Sequence, residues 1–293
     1  MVNFKLCIMM SENTIRDLNI LPKSENLETK ETPNMVNGRV AEIEYIESEK
    51  LDDFEDVDKS LKMLLTGVDT KDWVLLCETL NNVRRFSIYH KEAIKDILER
   101  VITLIVKSLK NPRSAVCKTG IMTSADIFKA FGDQIIEFLD PLLLQLLLKS
   151  SQDKRFVCEA AEKALIALTT FVSAFLLLPK LQPYLKNRNP RVRAKASMCF
   201  SRSVPQLGVE EMKAYGMEKL IEIGVSQLSD QLPESREAAR ALILELHTAY
   251  EKYYFLATCE EEQQYSWEQF CELNLSKLSG QAVLRVTSAG RDS

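Results

Sequence analysis

The sequence predicts an all-α chain, an α-solenoid of about five to six helix-pair repeats, and three observations carry that prediction. Only 9 Gly and 9 Pro interrupt 293 residues, whereas an all-β chain needs a turn signal every ~8–12 residues. Apolar residues recur with the 3.6-residue helical period over most of the chain. One kind of turn then returns at intervals of about 40 residues, as in HEAT or armadillo arrays.

Residues 1–55 stand apart. Ser11 to Asn37 is a polar mixture, and Glu42 to Asp58 is strongly acidic. Such a stretch buries too little apolar surface to offset its ordering entropy, so 1–55 is expected to be a disordered acidic segment. The opening MVNFKLCIMM lacks a charged n-region, a long apolar run and a small-residue cleavage site, which predicts no signal peptide. The most apolar internal stretch, Phe138 to Leu148, is too short to span a bilayer.

Helices follow in order. Asp72 opens one that runs to about Phe86. Ile94, Ile97, Leu98, Val101, Ile102, Leu104 and Ile105 make one wide apolar face. Asn111-Pro112 is a tight junction, with Asn111 as N-cap and a helix from Pro112 to about Phe131. Gly132-Asp133 closes that helix, and the next covers about Gln134 to Lys149 with an irregularity at Pro141. The junction returns at Ser151 to Val157, at Asn187 to Arg193 and at Pro233 to Ala239. Setting Arg113, Arg155, Arg191 and Arg236 in register gives spacings of 42, 36 and 45 residues. No single pair can bury its own apolar stripe, so neighbours stack into one core. The array is expected over 56–274, with a poorly ordered C-terminal tail over 275–293.

Little in the sequence points to chemistry. The net charge is −4 and the pI about 5.5, which argues against nucleic acid as the default partner. Seven cysteines are scattered without a C-x-x-C pair, which predicts reduced thiols in the cytoplasm and neither zinc nor disulfides. His90 and His247 have no metal-ligand spacing. There is no phosphate-cradling glycine motif and no nucleophile elbow. The chain is expected to be no enzyme and to need no cofactor or metal.

In a stacked solenoid, equivalent turns line one edge. The register places Lys71 and Trp73 there, then Arg113 and Lys118, Lys154 and Arg155, Arg188, Arg191, Arg193 and Lys195, then Arg236 and Arg240. Such a basic row suits an acidic protein surface. It has two readings at this point: arginines that knit neighbouring repeats by bonding to Asp, or a binding row. Trp73 is either exposed at its helix start or a buried staple.

At these turns the sequence resembles the TOG domain found in the N-terminal region of CLASP proteins and related microtubule-associated proteins. The resemblance rests on Asp72-Trp73 followed by Cys77 to Arg85, and on Leu109 to Val116. Lys154-Arg155-Phe156-Val157 with Ala160-Ala161, and Asn187 to Lys195, continue it. Small plant TOG-like proteins are similar over Asp56 to Val286, including Ser266 to Phe270 and Gln281 to Val286. The resemblance implies a paddle of six HEAT repeats that binds tubulin through the turns within each repeat. Trp73, Lys71, Arg113, Lys118, Lys154, Arg155, Arg191, Arg193 and Arg236 would form that surface. It also implies a cytoplasmic, microtubule-associated protein. The alternatives are a general HEAT adaptor for another protein and, more remotely, a nucleic-acid-binding ridge.

Overall fold

The computed structural model describes residues 35–36, 39–40, 45–68, 70–254 and 265–289. Expectations about the opening residues, the polar stretch to Asn37 apart from Met35 and Val36, Cys7, Cys259 and the last four residues lie outside these. Residues 1–42 and 43–293 are separate compact units. In the first, two short strands, β1 (Met35–Val36) and β2 (Arg39–Val40), pair antiparallel with Met35 opposite Val40.

The second unit is the helical array. Its helices are α1 (Val57–Gly67), α2 (Trp73–Tyr89), α3 (Leu98–Leu109), α4 (Ser114–Phe131), α5 (Leu139–Lys149), α6 (Arg155–Phe171), α7 (Ala174–Leu181), α8 (Pro190–Ser203), α9 (Val209–Tyr215), α10 (Met217–Gln227), α11 (Pro233–Ala249), α12 (Trp267–Asn274) and α13 (Lys277–Ala289). Six pairs emerge from their packing: α1/α2, α3/α4, α5/α6, α7/α8, α10/α11 and α12/α13. The second helices of successive pairs stack side by side, α2 on α4, α4 on α6, α6 on α8 and α8 on α11. This is the predicted HEAT-repeat solenoid.

Local chemistry explains the element boundaries. Asp72 and Asn189 cap α2 and α8 by accepting the N–H of Val74 and Arg191. Pro190 and Pro233 occupy the first helical position, where a missing N–H costs nothing. Asn111 is not the N-cap expected of it. Its side chain accepts the N–H of Arg113 at 2.9 Å and turns the chain, so α4 starts at Ser114. Pro141 sits in the first turn of α5 and needs no break there. The segment before it, Gly132–Phe138, is a 3-10 turn. Gly132 ends α4 at φ 49°, and a Cβ there would meet the Phe171 carbonyl oxygen at 3.0 Å.

One apolar core runs through the pairs. Val101, Ile105 and Leu109 of α3 are fully buried, as are Ile121, Ile127 and Phe128 of α4 and Leu142, Leu143 and Leu146 of α5. Each such side chain contributes about 1.5–3 kcal/mol of transfer free energy. Gly120 lets α3 and α4 approach closely, because a Cβ there would lie 3.0 Å from Ser108 Cβ and Leu109 Cδ1.

The described array extends beyond both boundaries read from composition. Leu51 is 1% exposed and the Phe54 ring lies 4.5 Å from that of Phe86. The acidic residues between these anchors masked them. At the far end, the expected tail forms α13, which buries Val283 and Thr287 against the last pairs. Gly280, Val283 and Thr287 recur at helical spacing, a short stripe that its polar neighbours hid.

Candidate protein-binding ridge

The turns inside the pairs are short, so they fix where each second helix begins. They fall between α1 and α2, α3 and α4, α5 and α6, the 3-10 turn Gln182–Lys186 and α8, and α10 and α11. They line one edge. Second helices start there with positive partial charges, but first helices end there with negative ones. These ends largely cancel, and side chains decide the sign of the edge.

Cations of successive turns reach back about one repeat. The Arg113 guanidinium lies 5.2 Å from the centroid of the Trp73 ring, close enough for a cation–π contact. Lys154 Nζ donates to Ser114 Oγ at 3.2 Å. Arg191 Nη1 donates to the Asp153 carboxylate at 2.6 Å and to the Ser151 carbonyl at 3.3 Å. Pairs this exposed contribute ~0–1 kcal/mol, so they aim the side chains more than they hold the stack. Arg155 is 92% exposed and bonds Glu159 within its own helix at 2.7 Å. Lys71 is exposed and forms no ion pair among the described residues.

Trp73 takes both of the roles left open for it. It packs one side on the core and stays half-exposed, with Arg113 on its ring. Lys118 is half-buried between aromatic rings, its Nζ 3.9 Å from the Tyr45 centroid and 5.9 Å from that of Phe156. Two residues depart from the expected outward row. Arg193 is 17% exposed and holds Asp230 of the next turn at 2.6 Å, while Nη1 donates to the Asn187 carbonyl. Arg236 folds back on the carbonyls of Asp230 and Gln231 at 2.8 and 3.0 Å. Their donors close the backbone of their own turns, which spacing alone does not reveal. Desolvation pushes the Asp230 carboxyl up. The bond and charge of Arg193 and the N–H groups of Leu232 and Gln231 outweigh it and hold the carboxyl below its ordinary value. The stability linked to this bond is present above the unfolded carboxylate pKa and is lost as pH falls through the lower folded one.

One structural node escaped the sequence reading. Arg84 Nε donates to Asp126 at 2.7 Å, with side chains 1% and 2% exposed. The strap of residues 45–51 seals this pair. Arg84 Nη1 donates to the Ile46 carbonyl at 2.7 Å, and the Ser48 hydroxyl donates to Asp126 at 2.8 Å. The 42-residue spacing of Arg84 and Asp126 was the available signal.

No group of three or more His, Cys, Asp or Glu could hold a metal among the described residues. Burial pushes the thiols of Cys199 and Cys271 up to about 12 and raises that of Cys158, so none of these is a thiolate at neutral pH. His90 bonds Asp53 at 2.7 Å at the surface, and His247 is buried 4.9 Å from the Trp267 ring. No described helix is long and apolar enough to cross a membrane.

Residues 82–253 match the family described as CLASP N terminal. The chain belongs to the CLASP N-terminal family. The same fold appears in the TOG domain of Zyg9 from C. elegans, at a TM-score of 0.55 and 13% identity, covering 83% of this chain and 92% of that one. The MAST/Orbit N-terminal domain gives 0.54 and 13%, covering 82% and 99%. This CLASP N-terminal family chain is therefore a TOG-type array of HEAT repeats. Among curated relatives, the TOG array regulator of axonemal microtubules protein 1 of Mus musculus is 28% identical over 130 residues, 44% of this chain. The Homo sapiens protein of that name is 26% identical over 130 residues. The match spans only 7% and 8% of the length of those two relatives.

Proposed function

We propose that this chain binds the αβ-tubulin dimer through the turn ridge and acts on microtubule organisation or dynamics as a non-catalytic module. The observation that carries this reading is the Trp73–Arg113 stack at the head of a row of exposed cations. An aromatic and an arginine on a rigid scaffold are the residue types that dominate binding energy at protein interfaces. An acidic partner is steered by such a row even when the whole chain is acidic. Family membership and the names of the relatives support tubulin as that partner. On this reading the protein works on the microtubule cytoskeleton, in the cytoplasm.

Lys71, Trp73, Arg113, Lys154, Arg155 and Arg191 form the contact surface. Lys118 lies between the Tyr45 and Phe156 rings and supports the surface from there, and Arg193 and Arg236 shape their turns. Size-exclusion chromatography with unpolymerised αβ-tubulin tests this. Co-migration is expected at low salt and should weaken at moderate salt, because screening shortens the reach of exposed charges. Separate elution at low salt would refute tubulin and leave the adaptor reading.

A further inference from the structure

The sign of the ridge changes along its length. On the first four turns Lys71, Lys110, Arg113, Lys154 and Arg188 are exposed and form no ion pair among the described residues. Among the described residues, the one carboxylate facing out beside them that does not cap a helix, Asp153, is held by Arg191. The fifth turn is different. Asp230 is engaged by Arg193, Arg236 is folded onto carbonyls, and Glu234 is exposed with no ion pair among the described residues.

A cleft of about 440 Å³ lies where the sign changes. Its walls come from three successive turns and include Ser151, Asp153, Arg191, Lys195, Leu232 and Glu234. Arg155, also in the wall, is paired with Glu159, Arg191 with Asp153, and Lys195 with Glu162 at 2.5 Å. Glu234 is the wall charge with no ion pair among the described residues.

We infer that the ridge is bipolar: turns one to four meet an acidic surface of the partner, and the cleft at Glu234 receives a basic side chain of that same partner. This rests on the ridge being the tubulin-binding surface. A bipolar ridge fixes the direction in which the partner lies along the array, because the reversed orientation sets like charges together at both ends. A uniformly basic ridge would lack this contribution from charge.

The test measures tubulin affinity of the full chain and of Arg113→Glu, Glu234→Lys, Glu234→Gln and Glu237→Lys. Helicity and thermal midpoint are recorded for each. Arg113→Glu is expected to weaken binding at least about tenfold, and Glu234→Lys at least about fivefold, although the second adds a positive charge to the ridge. Glu234→Gln keeps the shape and should show the same sign in smaller size. Glu237→Lys makes the same charge change one helical turn on, outside the cleft walls, and should leave affinity unchanged. Weakening by Arg113→Glu with unchanged or tighter binding by Glu234→Lys overturns the bipolar ridge and leaves the tubulin surface standing. No change with either variant overturns the surface itself.

Discussion

Asp126→Ala is expected to lower the thermal midpoint of the chain by on the order of 10 °C. The substitution leaves the Arg84 guanidinium, 1% exposed, without its carboxylate. Removing one partner of a buried pair costs about 3–5 kcal/mol, and each kcal/mol moves the midpoint of a domain of this size by roughly 2–4 °C. The loss should not be confined to α2 and α4. Ser48 donates to the same carboxylate, so residues 45–51 should lose their anchor and gain amide exchange. A double replacement of Arg84 and Asp126 by Met and Leu tests the cause. It removes both charges together and should recover most of the midpoint. A drop under about 2 °C in the single variant would mean that the pair does not hold the strap.

Trp73→Ala is expected to weaken tubulin binding by about 30-fold. Truncating a tryptophan that anchors an interface costs about 2 kcal/mol or more, and 1.4 kcal/mol is a factor of ten. The indole also orients Arg113, whose guanidinium lies 5.2 Å from the ring, so the variant loses an aromatic surface and an aimed cation together. Trp73 packs partly on the core, and a binding loss could therefore reflect a loosened α2. Arg113→Glu separates the two causes, because it leaves the tryptophan packed. If Trp73→Ala loses binding while Arg113→Glu keeps it at the wild-type level, the loss belongs to packing and the ridge assignment fails.

The repeat architecture was legible because each repeat states it again. Asn111-Pro112, Asn189-Pro190 and Pro233 mark turns by chemistry that acts locally, and the apolar period of α3 needs no partner to be recognised. Ends of the array were not legible, since their evidence is not local. Leu51 and Phe54 are single apolar residues among acids, and only residues more than thirty positions on show what they meet: Phe86 against the Phe54 ring, and Tyr89, whose hydroxyl donates to the Leu51 carbonyl. For the ridge, spacing placed the cations on one edge but said nothing of their bonds. Arg191 and Arg193 are two residues apart in the same helix turn. One faces out, 56% exposed and held by Asp153, and the other faces in, 17% exposed and held by Asp230. That division depends on where the neighbouring turns set their carboxylates and carbonyls, which emerges only once the repeats stack.

Hydrogen exchange of the full chain with and without unpolymerised αβ-tubulin tests the central claim most directly. The account predicts added protection at the turns around residues 70–74, 110–115, 151–156 and 187–192. Little change is expected at the opposite ends of the same helices, around residues 85–90 and 126–131. Protection confined to those opposite ends, or to the helix faces between them, would contradict the ridge as the binding surface.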